Sequence, residues 1–212
     1  INEMIENFIS IKLESQKKDI EKYNETEKEY PYSYKQWTED EIKKQINDSF
    51  VVIPKRYMNA EMEDDEIYLK VQQCLKDKNG AYLYGPAGTG KTYILYAILK
   101  ILKVNMTECE VWNVPEKFSE LKGAYGKDGN GEEEITRELE TKCILLIDDF
   151  GAEKQTEWNS EIMYRLINYR YENMLPTFFA SNLTLQELAE RSGDRLASRI
   201  AEMCEVINVG GK

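Results

Sequence analysis

The chain has 212 residues, with 28 basic against 39 acidic side chains and no histidine. The missing imidazole excludes Ser-His-Asp and Cys-His nucleophiles, His-ligated metals and histidine acid–base chemistry, so proton transfer falls to a carboxylate, lysine, tyrosine or cysteine. The net charge of −11 contains no basic segment, which restricts any nucleic-acid surface to local contacts rather than an overall field.

Residues 1–47 alternate charge with scattered Ile, Leu, Phe and Tyr, contain no glycine and break at Tyr30-Pro31-Tyr32. Ile5, Phe8, Ile9 and Leu13 recur at helical spacing and predict an amphipathic helix. Thr38-Glu39-Asp40-Glu41 carries the capping-box pattern of a second one. This extension is expected either to pack loosely on the main domain, 48–212, or to act as a docking arm for a partner protein. Its low hydrophobicity argues against a membrane role. The chain opens on Ile1 rather than methionine, so its natural start is expected to lie upstream.

From residue 51 the pattern becomes α/β. Apolar runs at Ala81–Tyr84, Cys109–Val114, Cys143–Ile147, Thr177–Ala180 and Val206–Val209 read as strands. Helical patterns fall between them at Tyr93–Lys103, Pro115–Tyr125, Glu132–Glu140, Trp158–Tyr171 and across Thr184–Met203. Trp158, Ile162, Leu166 and Tyr169 share one side of the fourth. This alternation predicts a parallel sheet with helices on both faces. Gly126–Gly131 reads as a flexible loop. Cys74, Cys109, Cys143 and Cys204 form no C-x-x-C pair and read as reduced, buried thiols of a cytoplasmic protein. No apolar stretch reaches about 18 residues, so no membrane span is expected. Five of the seven arginines lie between Arg165 and Arg199, and arginine's planar fork suits phosphate. The spacing of Arg165 and Arg170 leaves their role open.

Gly85-Pro86-Ala87-Gly88-Thr89-Gly90-Lys91-Thr92 fits G-x-x-x-x-G-K-[ST], with a predicted strand before it and a helix after it. Glycines let backbone N–H groups turn inward around the β- and γ-phosphates of ATP, and the helix N-terminus adds its positive end. Lys91 would reach the phosphate oxygens and the Thr92 hydroxyl would ligate Mg²⁺. Ile144-Leu145-Leu146-Ile147-Asp148-Asp149 reads as a buried parallel strand ending in two carboxylates. There Asp148 would hold Mg²⁺ through water, and Asp149 would polarise the attacking water.

These two motifs resemble those of an AAA+ ATPase. More narrowly they resemble bacterial and phage replicative helicase loaders of the DnaC/DnaI type and the related IstB-type transposition helper ATPases. Ile53-Pro54-Lys55-Arg56-Tyr57, Ile147–Glu153, Tyr164–Tyr171, Ala180-Ser181-Asn182-Leu183 and Gly193–Ile200 carry the resemblance, which covers residues 51–209. It implies a P-loop NTPase of AAA+ type with a five-stranded parallel sheet flanked by helices. It implies that Asn182 is the polar sensor orienting the lytic water, and that Arg199 is the arginine finger entering a neighbouring subunit's site. Arg195, four residues before Arg199, shares its helix face and is assigned to the nucleotide. The family also implies self-association into a ring or spiral that delivers a replicative DNA helicase onto single-stranded DNA.

Two departures stand out. Asp149 occupies a position where many AAA+ proteins have glutamate. The chain also ends three residues after the last predicted strand, so the helical lid of the family is not expected. Lys117, Lys122 and Lys127 are the candidate DNA contacts. Three further readings stay open: a transposition helper that binds DNA and recruits a transposase, a small-molecule kinase, and a module that binds ATP without hydrolysing it.

Overall fold

The computed structural model describes residues 2–25, 38–50, 53–62, 64–105, 107–124, 136–137 and 139–210. Two helices come first, α1 (Asn2–Glu25) and α2 (Glu39–Ser49), then α3 (Asp65–Asp77) and strand β1 (Gly80–Tyr84). After them follow α4 (Lys91–Val104), β2 (Cys109–Asn113), α5 (Val114–Ala124), β3 (Ile144–Phe150), α6 (Glu157–Glu172) and β4 (Thr177–Ser181). The last elements are α7 (Leu185–Ser192), α8 (Asp194–Met203) and β5 (Cys204–Asn208). The strands pair in parallel in the order β2-β3-β4-β1-β5. The chain leaves β1 towards one edge and returns through β3 and β4 to lie beside it. A ligand-binding crevice is therefore expected at the carboxyl ends of β1 and β4.

Side chains alternate across the sheet, as a strand period of two demands. Tyr82, Leu145, Ile147 and Phe179 point to one face, where Trp112, Phe118, Ile162, Leu166 and Ile200 cover them. Ala81, Leu83, Leu146, Phe178 and Ala180 point to the other, against Val71, Leu95, Ile98 and Leu102. With both faces covered, the central strands are apolar throughout. Phe179 meets Phe150 edge-on at 4.9 Å and Tyr82 at 6.0 Å. Truncating it to alanine removes about 3–5 kcal/mol.

The five expected strands and the helices around them are present, with shifted ends. The Thr184–Met203 stretch is two helices, because Gly193 at φ +95° ends α7 and starts α8. Helix α3 has no counterpart in the sequence reading. Its start is fixed by Asp64, whose carboxylate accepts from the N–H groups of Glu66 and Ile67, and it buries Ile67, Val71 and Cys74. The Tyr30-Pro31-Tyr32 break, the Gly126–Gly131 loop and the start of the Glu132–Glu140 pattern lie outside the described residues.

The Thr38 capping box forms as its sequence requires, with Thr38 and Glu41 exchanging bonds. On α1 and α2, Ile9, Ile42 and Ile46 gather around Val104 at the end of α4, with Ile5, Phe8 and Leu13 beside them. Lys43 bridges the two helices to Glu6 at 3.0 Å and to Glu39 at 2.7 Å. Cys74, Cys109 and Cys204 are buried and free, whereas Cys143 is exposed. This corrects the expectation of four buried thiols: Cys143 stands one residue before β3 enters the core.

Two arginines of the 165–199 cluster have a structural setting. Arg170 is fully buried and donates to the carbonyl oxygens of Leu139, Glu140, Lys142 and Pro176 and to Thr177 Oγ1. Arg165 pairs with Glu140 at 2.9 Å.

Candidate functional site

The crevice expected from the strand order is a cleft of about 410 Å³ between the Gly85–Thr92 loop and the ends of β3 and β4. Gly85 leaves β1 at φ +151°, and a Cβ there would stand 2.1 Å from the Val209 carbonyl oxygen, so the loop lies tight against the end of β5. Pro86, Ala87 and Gly88 form its exposed crest. Gly88 and Gly90 take φ of +86° and +93° with open space where a side chain would be. A left-handed backbone without Cβ atoms lets consecutive N–H groups face one hollow, which is a cradle for an anion. Thr89 Oγ1 closes the turn on the Pro86 carbonyl at 3.0 Å.

Lys91, the first residue of α4, is buried, and its ammonium donates to the carbonyl oxygens of Gly85 at 2.8 Å and Pro86 at 2.7 Å. Burial lowers its proton affinity, and the charges of Asp148 and Asp149 oppose that shift. The positive end of α4 adds to its field. The next residue, Thr92, donates its hydroxyl to Asp148 Oδ1 at 3.0 Å. This bond joins the loop to β3 across the cleft. Burial raises the Asp148 carboxyl above its ordinary range, the Thr92 bond acts against this, and the Asp149 charge reinforces it. One hydroxyl and one carboxylate, both hard oxygen donors, suit Mg²⁺, which takes few protein ligands and fills its shell with water and phosphate oxygens. Among the described residues no group of three or more Cys, Asp or Glu side chains gathers around a metal-sized hole.

The placement of the two adjacent carboxylates depends on a bulge. Ile147 pairs with Phe179 and Phe150 with Ser181, so two residues of β3 stand opposite one of β4. In a regular strand, neighbours point to opposite faces. Here Asp149 adopts φ +54°, a left-handed conformation that aspartate tolerates better than most residues. Both carboxylates consequently border the cleft. Asp148 is buried against Thr92, and Asp149 is exposed with Asn113 Nδ2 donating to it at 3.3 Å. Gly151 follows at φ +84°, where a Cβ would stand 2.8 Å from Leu183.

Asn182, directly after β4, lines the same cleft. Its neighbour Ser181 donates to the Phe150 carbonyl at 2.7 Å and accepts from the Leu183 N–H at 3.1 Å. Arg56 and Tyr57 also line the cleft, a role the sequence reading did not give them. Their segment is tied down on α4: Tyr57 stacks on Tyr96 at 4.4 Å, and buried Lys100 donates to the Met58 and Ala60 carbonyls. A second hollow of about 290 Å³ shares Gly90 and Tyr93 with the first and is bordered by Met62, Ile67, Ile94 and Val209.

Arg195 and Arg199 are not among the residues bordering the cleft of their own chain. Both project from α8, Arg195 exposed and Arg199 half-buried against α6. Of the lysines considered for DNA, Lys117 pairs with Glu120 at 2.8 Å and Lys122 lies over the Trp158 ring at 5.4 Å. Lys127 lies outside the described residues. No helix among the described residues is long and apolar enough to cross a membrane.

Comparison with known proteins accords with this geometry. The family model described as "ATPase family associated with various cellular activities (AAA)" matches residues 81–198. The replicative helicase loader DnaI of Bacillus subtilis (strain 168) is 38% identical over 110 residues, 51% of this chain and 35% of the relative. The phage-like element PBSX protein XkdC of the same strain is 34% identical over 146 residues, 65% of this chain and 51% of the relative. The chain thus spans between about a third and a half of these curated relatives. The crystal structure of the DnaC helicase loader superposes with a TM-score of 0.65 at 24% identity, over 74% of this chain and all of that one, and so shares the fold. With the Gly85–Thr92 loop, the paired carboxylates and strands β2, β3 and β4 all inside the matched span, the chain belongs to the AAA family of ATPases.

Proposed function

We propose that the protein is an Mg²⁺-dependent ATPase whose site is completed by a second copy of the chain, and that it loads a replicative DNA helicase onto single-stranded DNA. The observation that carries the ATPase reading is the Thr92–Asp148 bond at 3.0 Å. It brings the two candidate metal ligands together, next to a buried lysine in a glycine cradle.

In this reading the N–H groups of 86–91 and the Lys91 ammonium bind the β- and γ-phosphates. Thr92 and Asp148 hold Mg²⁺, which when bound neutralises charge developing on the transferred phosphoryl group. Asp149, exposed at the cleft and steadied by Asn113, orients the attacking water and accepts its proton. Asn182 fixes that water from the β4 side. The second hollow, with its apolar border of Met62, Ile67, Ile94 and Val209, suits the flat face of the base. Arg199 does not border its own cleft and in this reading acts on that of a neighbour, with Arg195 beside it on α8.

Similarity to DnaI favours a helicase over a transposase as the partner. In a ring or spiral of copies the DNA would lie along local contacts, since a net charge of −11 supplies no attractive field. The ATPase test is turnover per subunit against protein concentration, with Arg199→Ala and Lys91→Ala alongside. Turnover rises with concentration, Arg199→Ala binds ATP normally and loses about 10³-fold or more in rate, and Lys91→Ala loses binding. Turnover that stays constant on dilution refutes completion by a neighbour. For the partner, the full protein retains a purified hexameric replicative helicase; retention of a transposase instead refutes the loader reading.

A further inference from the structure

The setting of Arg199 differs from those of Arg170 and Arg165 on α6. Arg170 donates to five oxygen atoms and Arg165 pairs with Glu140. Arg199 has neither arrangement. Its guanidinium carbon lies 4.9 Å from the Tyr164 ring centroid and 5.7 Å from that of Tyr171, both within the reach of a cation–π contact. These tyrosines stand seven residues apart on α6, two turns along one face, so a single cation on α8 spans both.

The hydrogen bonds around the guanidinium are sparse. Nη1 donates to the Arg195 carbonyl at 3.4 Å, and Nε is buried with no hydrogen-bond partner. The carboxylate nearest in sequence, Glu202, one turn further along α8, is engaged elsewhere. It accepts from the Tyr171 hydroxyl at 2.6 Å and from the Ser198 hydroxyl at 3.2 Å. Aromatic faces hold a cation without neutralising it or occupying its outward N–H groups, whereas a carboxylate does both. In a chain with eleven more acidic than basic side chains, an arginine held on rings beside an occupied glutamate keeps its charge available for another anion.

The geometry points to Tyr164 and Tyr171 as positioning residues that hold Arg199 oriented for a phosphate presented by a second copy of this chain. This rests on the reading of Arg199 as a residue acting on a neighbour's site. Tyr171 has two parts in it: its ring carries the cation, and its hydroxyl keeps Glu202 from pairing with that cation. Tyr164 supplies a ring alone. The two tyrosines therefore respond differently to loss of the hydroxyl.

The experiment separates the donor of the arginine from the owner of the ATP site. Mixing Lys91→Ala subunits, which keep Arg199, with Arg199→Ala subunits, which keep the site, restores turnover that neither has alone. Adding Tyr164→Leu to the Lys91→Ala subunit lowers the restored rate by about 2–30-fold, the range of a cation–π contact, with the ATP KM unchanged. Tyr164→Phe in the same position restores the rate. Tyr171→Phe lowers it, because Glu202 is released to pair with Arg199, and Tyr171→Phe with Glu202→Gln recovers it. The melting temperature of each donor is measured in parallel. A loss that follows melting temperature rather than ring identity, with Phe no better than Leu, overturns the positioning role. So does an undiminished rate with Tyr164→Leu. Full turnover by Arg199→Ala on its own overturns the underlying reading of Arg199, and failure of the tyrosine variants alone leaves that reading standing.

Discussion

Replacing Arg170 by methionine should cost the fold about 4 kcal/mol, whereas replacing Arg165 by alanine should cost almost nothing, although both stand on α6. Arg170 has no exposed surface, and its guanidinium satisfies four carbonyl oxygens and one hydroxyl from the turn before β3 and the start of β4. Methionine fills much of the same volume and donates nothing. A buried acceptor left without a partner costs about 1–3 kcal/mol, and the Pro176 carbonyl keeps the Leu145 N–H at 3.3 Å, so four orphaned acceptors cost about 4–12 kcal/mol. Burial of the cation returns part of this, since it pushes the guanidinium down to about 10. A net cost of about 4 kcal/mol agrees with the roughly 3–5 kcal/mol lost when one member of a buried charged network is removed. It is a large share of a total stability of about 5–15 kcal/mol. The Arg165 side chain is 47% exposed and has one ion pair, which contributes at most about 1 kcal/mol. In urea denaturation followed by circular dichroism, a slope near 2 kcal/mol/M turns these values into midpoint shifts of about 2 M and less than about 0.5 M. Equal shifts for the two variants, or Arg170→Met within about 1 kcal/mol of the parent, would refute the reasoning.

Other substitutions test other parts of the molecule. Asp148→Asn keeps an oxygen for Thr92 and removes the charge, so turnover falls by about 100-fold or more while the nucleotide-free protein gains stability. Because burial holds the Asp148 carboxyl above the ordinary 3.8, its stabilising contribution is complete below that value. It is lost as pH rises through the raised one. The Asn variant lacks this slope in thermal melts taken across acidic pH, and identical slopes would count against a buried charge. Gly85→Ala drives a Cβ to 2.1 Å from the Val209 carbonyl oxygen; it should lose about 2–3 kcal/mol in urea and weaken ATP binding measured by titration. Lys100→Met releases the Met58 and Ala60 carbonyls from α4. Faster amide exchange around residues 57–60, with several-fold weaker ATP binding, is the expected result, and unchanged exchange would show that the stacked Tyr57–Tyr96 pair suffices.

Much of this was legible in the sequence, for physical reasons that differ from place to place. Strands buried on both faces have to be short continuous apolar runs, and the Gly85–Thr92 loop has to follow one of them, so both could be read directly. The Asp148-Asp149 pair could be located but not aimed: alternation predicts opposite faces, and only the bulge opposite Ala180 brings both to the cleft. Helix α3 carried a readable signal in Asp64 followed by Ile67, Val71 and Cys74 at helical spacing. The clustering of arginines near the C-terminal end suggested phosphate, yet Arg170 meets carbonyls and Arg165 a carboxylate. Sequence density says nothing of what a side chain faces after folding. Arg56 and Tyr57 reach the cleft where Tyr93, Tyr96 and Lys100, more than 30 residues away, hold their segment down.

Ser181 makes two bonds, to the Phe150 carbonyl and from the Leu183 N–H, and the first fastens the end of β4 to that of β3. Asp149 and Asn182 flank this junction and border the same cleft. From Asn182 the chain runs through α7 to Gly193, bends there in a conformation open to glycine, and continues along α8 to Arg199. In the proposed reading, a displacement felt at the cleft end of this run has a short covalent path to Arg199, with Gly193 between them.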